Sequence, residues 1–294
     1  MKRLVYLDGE LVPEENARIS VFDHGLLYGD GVFEGLRCYN SRVFRLDEHL
    51  RRLYTSAKAI MLKIPVAFDE MRKAVIETIR ANKLHDSYVR IVVTRGVGDL
   101  GLDPAKCPRP GVIIIAGEIQ LYPESVYEKG LSLMTVPTRR NSREAVNPAI
   151  KSLNYLNNIL AKIEATSWGA MEGLILNNEG YVTECTGENI FAIKDRVLLT
   201  PPVSSGALPG ITRDAIISIA GELGYETRQV NMTRYDLYSA DECFVTGSAA
   251  ETMAIMSVDK RVIGEGTEGP ITKEIRKAFR ELTKREGVPV FEKN

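Results

Sequence analysis

Apolar residues recur at two different intervals in the first half of the chain. In residues 46–57 and 71–79 they fall three or four positions apart, which predicts two amphipathic helices. Residues 88–94 and 112–119 are instead rich in β-branched side chains and are bounded by glycine or proline, which predicts strands. A hairpin is predicted around Asp8-Gly9. The first half is therefore predicted to be a small α/β domain.

A polar stretch, residues 120–129, follows this domain and is predicted to be an interdomain linker. The predicted domains are residues 1–119, which are small and α/β, and residues 130–294, which are larger and sheet-rich. The fold class is thus α/β in the broad sense (α+β), with two domains joined by a loop.

The larger domain is predicted to begin with a strand near Leu131, followed by helices and hairpins. Residues 177–180 and 194–196 each separate two β-branched runs, which predicts two hairpins. Three helices are predicted in this domain. The first is capped by Ser152 and carries apolar positions between residues 153 and 163, and the second begins after Pro209-Gly210. The third runs from Pro270 to Leu282.

Composition and charge narrow the class of protein. The chain has 294 residues, of which 44% are hydrophobic and 26% charged, and 38 Lys and Arg face 39 Asp and Glu. Such values predict a globular protein and argue against nucleic acid or anionic lipid as the main partner. No apolar run approaches the roughly 20 residues that span a bilayer, and no secretory signal is evident at the start. We therefore expect no membrane partner and a cytoplasmic location.

Several common site motifs are absent or incomplete. Residues 29–35 depart from the dinucleotide-binding glycine pattern at Glu34, and no glycine precedes a lysine as in a phosphate-binding NTPase loop. The three histidines have no HExxH spacing, and the four cysteines form no CxxC pair, so no metal site is predicted.

Lys151 lies between a proline-containing loop and the helix predicted to begin at Ser152. The positive end of a helix and partial loss of water would both favour its neutral, nucleophilic amine, which a Schiff-base lysine needs. Taken alone, a solvated surface lysine is the simpler interpretation.

Two further segments could bind an anion. Residues 208–213 lead into a predicted helix whose first amides lack intrahelical partners, and Thr212 adds a hydroxyl. Residues 247–250 are small and follow an apolar run, which suits an anion-binding turn. Capping chemistry and a tight turn are the simpler alternatives.

Two charged residues have a functional and an ordinary interpretation. Glu184, at the end of a strand predicted over residues 180–183, could hold a proton on a pyridine nitrogen or could be an edge charge. Arg52 could bind a phosphate or could lie on the wet face of its helix.

Taken in order, eight segments resemble the class IV aminotransferases, the pyridoxal-phosphate enzymes of fold type IV, and most closely their branched-chain amino acid aminotransferases. They are YLDGELVP (6–13), HGLLYGDGVFEGLR (24–37), EHLRRL (48–53), VVTRGVGDLGLDP (92–104), IKSLNYLNN (150–158), GYVTECTGENIF (180–191), LPGITR (208–213) and VTGSAAE (245–251). The resemblance covers nearly the whole chain and favours the functional interpretation of each segment.

The resemblance implies roles for individual residues. Lys151 would be the catalytic lysine that bonds pyridoxal 5'-phosphate, and Glu184 would pair with the ring nitrogen. The other implied cofactor-binding residues are Arg52, Tyr155, Gly187, Ile211, Thr212 and Ser248. The implied substrate-binding residues are Tyr28, Phe33, Arg37, Tyr88, Arg90, Arg95, Tyr122, Ser248 and Ala249, with Arg90 and Arg95 as alternatives for a carboxylate.

The implied activity is ping-pong transamination between branched-chain L-amino acids and 2-oxoglutarate. A loop over residues 97–103 would enter the partner's site in a homodimer or larger homo-oligomer. A D-amino acid or (R)-amine transaminase of the same fold is an alternative, although Arg95-Gly96-Val97 lacks the Arg-x-His pair of D-amino acid enzymes. Tyr155 stands where aminodeoxychorismate lyases usually have arginine. A non-catalytic cofactor-binding homologue is a further alternative.

Overall fold

The computed structural model describes residues 3–119, Val126 and residues 130–291. The chain divides into two compact units. Unit 1 comprises residues 1–119, 150–154 and 283–294, and unit 2 comprises residues 120–149 and 155–282. The division into residues 1–119, 120–129 and 130–294 stays a prediction, and apart from Val126 the predicted linker lies outside the described residues. Residues 150–154 and 283–294 group with unit 1 because they pair with its sheet.

Unit 1 is built on a seven-stranded antiparallel sheet with the order β16-β4-β3-β5-β6-β1-β2. Its strands are β1 (Leu4–Leu7), β2 (Glu10–Pro13), β3 (Gly31–Tyr39), β4 (Arg42–Val43), β5 (Ser87–Thr94), β6 (Gly111–Gly117) and β16 (Val288–Pro289). Its helices are α1 (His24–Tyr28), α2 (Leu46–Ala59) and α3 (Phe68–Ala81), with short 3-10 turns at Glu14–Asn16 and Pro104–Lys106.

The core of unit 1 lies between one face of this sheet and helices α2 and α3. Alternate residues of β5, among them Val89, Ile91 and Val93, are buried against the apolar stripes of the two helices. The helices and strands predicted from these spacings are confirmed. The hairpin at Asp8-Gly9 is also confirmed, because both residues take the positive φ angles of 50° and 109° that a tight turn needs.

Unit 2 is built on a nine-stranded mixed sheet with the order β12-β11-β10-β13-β14-β7-β8-β9, and β15 pairs with β14. Its strands are β7 (Leu131–Thr135), β8 (Glu172–Leu176), β9 (Val182–Cys185), β10 (Asn189–Lys194), β11 (Val197–Thr200), β12 (Thr227–Gln229), β13 (Glu242–Gly247), β14 (Glu251–Val258) and β15 (Arg261–Val262). Its helices are α4 (Leu156–Ser167), α5 (Ile211–Glu222) and α6 (Arg234–Tyr238), with a 3-10 turn at Val203–Ser205. Helix α7 (Pro270–Arg285) ends in the part of the chain that belongs to unit 1.

Both hairpins predicted in this unit are confirmed as β8-β9 and β10-β11. Helix α5 begins after Gly210 as predicted, whereas α7 continues to Arg285, about one turn beyond the predicted end at Leu282. Within the described ranges, no helix combines the length and apolar character that crossing a membrane requires.

Candidate active site

One face of the unit 1 sheet carries four of the residues predicted to bind substrate. The register of β3 and β5 pairs Gly35 with Arg90 and Arg37 with Tyr88, so these side chains share a face with Phe33. The Arg90 guanidinium lies 4.6 Å from the centroid of the Phe33 ring and 5.4 Å from that of Tyr88. The sheet thus presents aromatic surface and a cation side by side.

Gly35 makes room for Tyr88 on this face. A Cβ atom at position 35 would stand 2.0 Å from the Tyr88 hydroxyl oxygen, closer than any real contact. Gly35 is not among the predicted site residues, although a glycine inside a strand often marks such a close approach.

The segment around Lys151 differs from its prediction. Ser152 does not cap a helix, because residues 150–154 run along the edge of β3 and α4 begins only at Leu156. The Phe33 amide donates to the Lys151 carbonyl at 2.9 Å, and the Leu153 amide donates to the Gly31 carbonyl at 2.9 Å. Leu153 is apolar because it packs on Gly31 and not because it lies on a helix. The proposed effect of a helix dipole on Lys151 is therefore wrong.

The strand-like segment nevertheless holds Lys151 firmly. Its amide donates to the Ser56 hydroxyl of α2 at 3.2 Å, while its side-chain nitrogen lies 4.5 Å from the centroid of the Phe33 ring. The amine is therefore brought to the sheet face that Phe33 shares with Tyr88 and Arg90.

A buried charge cluster lies on the opposite face of β3. Glu34 receives two hydrogen bonds from Arg52, Nε to Oε1 at 2.7 Å and Nη2 to Oε2 at 2.8 Å. His49 Nδ1 lies 2.7 Å from Glu34 Oε2. Because an ionised carboxylate only accepts, Nδ1 carries the hydrogen and donates it. Arg52 was predicted, but Glu34 and His49 were not.

The two titratable members of this cluster have shifted pKa values. Burial alone would raise the pKa of Glu34, but the charge of Arg52 and the hydrogen bonds from Arg52 and His49 outweigh it and hold the pKa far below its usual value. Burial lowers the pKa of His49. Glu34 opposes this shift, whereas the positive charges of Arg52 and Lys151 add to it. The histidine is therefore held in its neutral form near pH 7.

Replacing His49 with glutamine is expected to flatten the dependence of stability on pH below about pH 6.5. With its pKa lowered from 6.5 on folding, His49 takes up a proton more readily in the unfolded chain. The contribution of the neutral, buried His49 to the free energy of unfolding is complete above that pH and is lost as the pH falls below it. Thermal unfolding of the cofactor-free protein between pH 5 and 7.5 measures this, with the exposed His85→Gln as control. An unchanged slope in His49→Gln would contradict the assignment.

Arg95 is engaged in structural contacts. It is buried and donates twice to the Asp30 carboxylate, at 2.8 and 2.9 Å, and once each to the carbonyls of Met61 and Ile60. Four of its five N–H donors are thus committed at the base of the loop that follows it.

The loop over residues 97–103 is held to helix α1 by polar contacts. His24 Nε2 lies 2.8 Å from the Asp99 carbonyl oxygen, and the Tyr28 hydroxyl donates to the Leu100 carbonyl at 2.5 Å. Leu100 and Leu102 at its tip are 68% and 79% exposed. Tyr28 therefore orients this loop, and two large apolar side chains face away from the unit.

In unit 2, Glu184 lies inside β9 and not after it, because the strand runs over Val182–Cys185. The carboxylate is buried, and Arg140 Nη2 donates to Oε1 at 2.5 Å. Oε2 accepts from Asn189 Nδ2 at 3.1 Å and from the Leu208 amide at 2.8 Å. Three donors thus fix the carboxylate in place and leave acceptor capacity on Oε1 for a further donor.

Arg140 links several segments of unit 2 by hydrogen bonds, and it is not among the predicted site residues. Besides Glu184, it donates through Nε to the Gly206 carbonyl at 3.1 Å and through Nη1 to Asn158 Oδ1 at 2.9 Å. Asn158 in turn donates to the Thr186 carbonyl at 2.7 Å. Arg140 stands in a polar loop without periodicity, so nothing in the sequence marks it.

The other predicted residues of unit 2 lie at the ends of neighbouring elements. The Leu208 amide, which bonds Glu184, lies just before the start of α5. Gly210 is the N-cap of this helix and has no side chain to cap it, so the first amides of the helix and the Thr212 hydroxyl can bind an anion. The turn containing Ser248 and Ala249 lies beside the turn of Gly187, since a Cβ on Gly247 would be 3.3 Å from the Gly187 carbonyl oxygen. Tyr155 precedes α4, and Tyr122 lies outside the described residues.

Comparison with known proteins identifies the family. The sequence matches the family model of the amino-transferases of class IV over residues 31–258. The chain belongs to the class IV aminotransferases. A relative from Methanocaldococcus jannaschii is 49% identical over 288 residues, which are 98% of this chain and 99% of that protein.

Solved structures of class IV aminotransferases match this fold closely. The Escherichia coli branched-chain amino acid aminotransferase is 41% identical and has a TM-score of 0.94, with 96% of this chain and 95% of that chain covered. The branched-chain amino acid aminotransferase from Thermobaculum terrenum, in its PLP form, is 31% identical, with a TM-score of 0.87 over 96% and 94% of the two chains. The predicted mixed α/β class and fold type IV are confirmed.

Class IV aminotransferases depend on pyridoxal 5'-phosphate, and the side chains of each unit fit that group. Unit 1 offers an amine at Lys151 for the aldehyde and a guanidinium at Arg52 for the phosphate. Unit 2 offers the buried anionic acceptor Glu184 for a protonated ring nitrogen and the uncapped start of α5 for the phosphate. Across the described parts of the chain, no group of three or more metal-ligating side chains occurs.

Proposed function

We propose that this enzyme transfers the amino group between branched-chain L-amino acids and 2-oxoglutarate. The observation that carries the proposal is the face of unit 1 on which the Lys151 amine and the Arg90 guanidinium both lie against the Phe33 ring. An aromatic surface suits an aliphatic side chain, and the guanidinium suits a carboxylate. Relatives named as branched-chain enzymes over almost their whole length support the same substrates.

We assign the chemical steps to side chains of this chain. Lys151 Nζ would take the proton from the substrate Cα and hold it for return later in the reaction. Glu184 would accept a hydrogen bond from the protonated ring nitrogen of the cofactor. When bound, the cofactor supplies a ring that delocalises the negative charge left at Cα. Because the donor would leave as a 2-oxo acid, with its amino group kept by the holoenzyme, before the acceptor binds the same site, the kinetics would be ping-pong.

The remaining predicted residues are proposed to bind cofactor or substrate. Arg90 is the proposed carboxylate-binding arginine, because the donors of Arg95 are committed to Asp30, Ile60 and Met61. The proposed cofactor-binding residues are Arg52, Tyr155, Gly187, Ile211, Thr212 and Ser248, and the other proposed substrate-binding residues are Tyr28, Phe33, Arg37, Tyr88, Tyr122, Ser248 and Ala249.

We also propose that the protein is a homodimer or larger homo-oligomer in the cytoplasm. The exposed Leu100 and Leu102 are the apolar tip of the loop that would enter the partner's site. All four cysteines are unpaired and buried, which suits a reducing compartment. A monomer in analytical ultracentrifugation would contradict the proposed oligomer. Recovery of the protein from the extracellular fraction of a culture would contradict the proposed location.

The substrate assignment is tested by assaying the holoenzyme with 2-oxoglutarate and one amino donor at a time. L-leucine is expected to give glutamate rapidly, whereas D-alanine and (R)-1-phenylethylamine are expected to give little. Fast conversion of D-alanine with none of L-leucine would reject the branched-chain assignment in favour of a D-amino acid transaminase. A protein that binds no pyridoxal phosphate would reject both.

A further inference from the structure

Glu34 is an ionisable residue at a position where the fold expects an apolar one. Its neighbours on the same face of β3, Val32 and Leu36, belong to the core against α2, and Glu34 itself is 0% exposed. A buried carboxylate is strongly disfavoured unless other groups compensate its charge. Among the described residues, the hydrogen bonds that compensate this charge come from Arg52 and His49 of α2.

Arg52 is held by Glu34 in a defined plane. The two parallel bonds from Nε and Nη2 engage one edge of the guanidinium, which is planar and rigid. Neither of these two bonds uses Nη1, whose N–H groups lie on the adjacent edge of the same plane. With a single hydrogen bond the guanidinium could still rotate about that bond, whereas two parallel hydrogen bonds prevent this rotation.

His49 completes the arrangement from the preceding turn of α2. Its bond to Glu34 Oε2 is 2.7 Å long, and its side chain is 2% exposed. The carboxylate is thus fixed from two directions before it fixes Arg52. In the sequence, His49 stands in the apolar stripe of α2 between Leu46 and Leu53, a position that burial alone would fill with leucine.

The same face of α2 also fixes Lys151. Ser56 follows Arg52 by four residues, one helical turn or about 6 Å along the axis, and its hydroxyl accepts the Lys151 amide. Helix α2 thus carries both the guanidinium held by Glu34 and the hydroxyl that binds the main chain of the amine-bearing residue. One rigid helix holding both suits a ligand with an anionic group at one end and an aldehyde at the other.

We propose that Glu34, supported by His49, is a positioning residue that locks Arg52 in the orientation that binds the phosphate of the cofactor. The inference rests on the proposed function in that it takes Arg52 as a phosphate ligand. It adds that the ligand works only when its plane is set by a buried acid. A purely stabilising ion pair would have no preference for the phosphate.

The sign of the effect separates orientation from charge. If Glu34 acted only through its charge, Glu34→Gln would remove a negative group near the phosphate and would tighten binding. If Glu34 acts by holding the fork, the glutamine side chain can accept from only one of the two N–H groups, and binding weakens. We expect weakening, because Arg52 needs its plane fixed to bind a phosphate in a bidentate manner.

The test compares pyridoxal 5'-phosphate with pyridoxal, which lacks the phosphate, as ligands of the cofactor-free protein. Fluorescence titration gives both dissociation constants. In Glu34→Gln the affinity for pyridoxal 5'-phosphate is expected to fall about 10- to 100-fold, the range found when outer-shell partners of metal ligands are removed. The affinity for pyridoxal is expected to change less than about twofold, within the scatter of surface substitutions.

Two further variants keep the test decisive. His49→Gln retains Glu34 and is expected to weaken binding of the phosphate form alone, by a smaller factor, so it serves if Glu34→Gln does not fold. Asp47→Asn is the matched control, because Asp47 also lies on α2 and pairs with an arginine, Arg72, but is 36% exposed and outside the cluster. It is expected to leave both affinities unchanged.

Each other outcome overturns the proposal. Equal loss of both affinities would show a merely structural role, and unchanged or tighter binding of pyridoxal 5'-phosphate would exclude positioning. If the unmodified protein binds neither compound, the proposed function fails with it. If it binds both equally well, cofactor binding stands but Arg52 is not a phosphate ligand.

Discussion

Replacing Lys151 with alanine is expected to lower the rate of amino transfer from L-leucine by roughly 10³-fold or more, because the proposed proton carrier between Cα and the cofactor is removed. The main-chain bonds of residue 151 to Phe33 and Ser56 do not involve the side chain, so the fold should be retained. Single-turnover kinetics measure the rate, and circular dichroism checks the fold.

The matched control for this substitution is Lys58→Ala. Lys58 is an exposed lysine on α2 and lies outside every contact assigned to the site. Its variant should retain normal turnover. Transfer by Lys151→Ala within about tenfold of the unmodified rate would remove Lys151 from the chemistry. Borohydride treatment offers a second readout, because it should fix the cofactor to the peptide that contains Lys151 and to no other.

Replacing Arg140 with methionine is expected to destabilise the cofactor-free protein by about 3–5 kcal/mol, the usual effect of removing one partner of a buried ion pair. The buried carboxyl group of Glu184 would lose its ion-pair partner and retain only Asn189 and the Leu208 amide as donors. Such a loss corresponds to a fall in melting temperature of roughly 6–20 °C. Calorimetry of the cofactor-free protein measures it.

The neighbouring Arg139 supplies the control. It is exposed, so Arg139→Met should change the melting temperature little. In the Glu184→Gln background, Arg140→Met should be far less harmful, because no buried charge is then left without its partner. An Arg140→Met variant as stable as the unmodified protein would mean that the Arg140–Glu184 pair is not an essential contact of unit 2.

Local patterns predict the elements of this fold well where periodicity is strong. The stripes of α2 and α3 and the β-branched runs of β5 and β6 gave the right elements within a few residues, because burial of one face determines both the pattern and the structure. The start of α4 was misplaced for a related reason. Leu153 falls at helical spacing from Leu156 but packs on a strand, and a single apolar residue cannot distinguish the two.

The site divides in the same way. Lys151, Glu184 and Arg52 were found because short segments around them resemble a family. Arg140 and His49 were not, since their importance comes from partners 44 and 15 residues away in the chain. Glu34 did carry a signal, a charged residue between the apolar Val32 and Leu36 of the same strand face, but only its partners on α2 explain it.

Unit 1 is assembled from segments that are far apart in the sequence, and this affects how it folds during synthesis. Residues 150–154 run along β3, and β16 (Val288–Pro289) pairs with β4. During synthesis from the N-terminus, the first 119 residues therefore leave the ribosome with an unfinished sheet that must wait for residue 289. Throughout that interval the outer edge of β4 lacks its β16 partner, and an unpaired strand edge exposes a nascent chain to chaperones and to association with other chains.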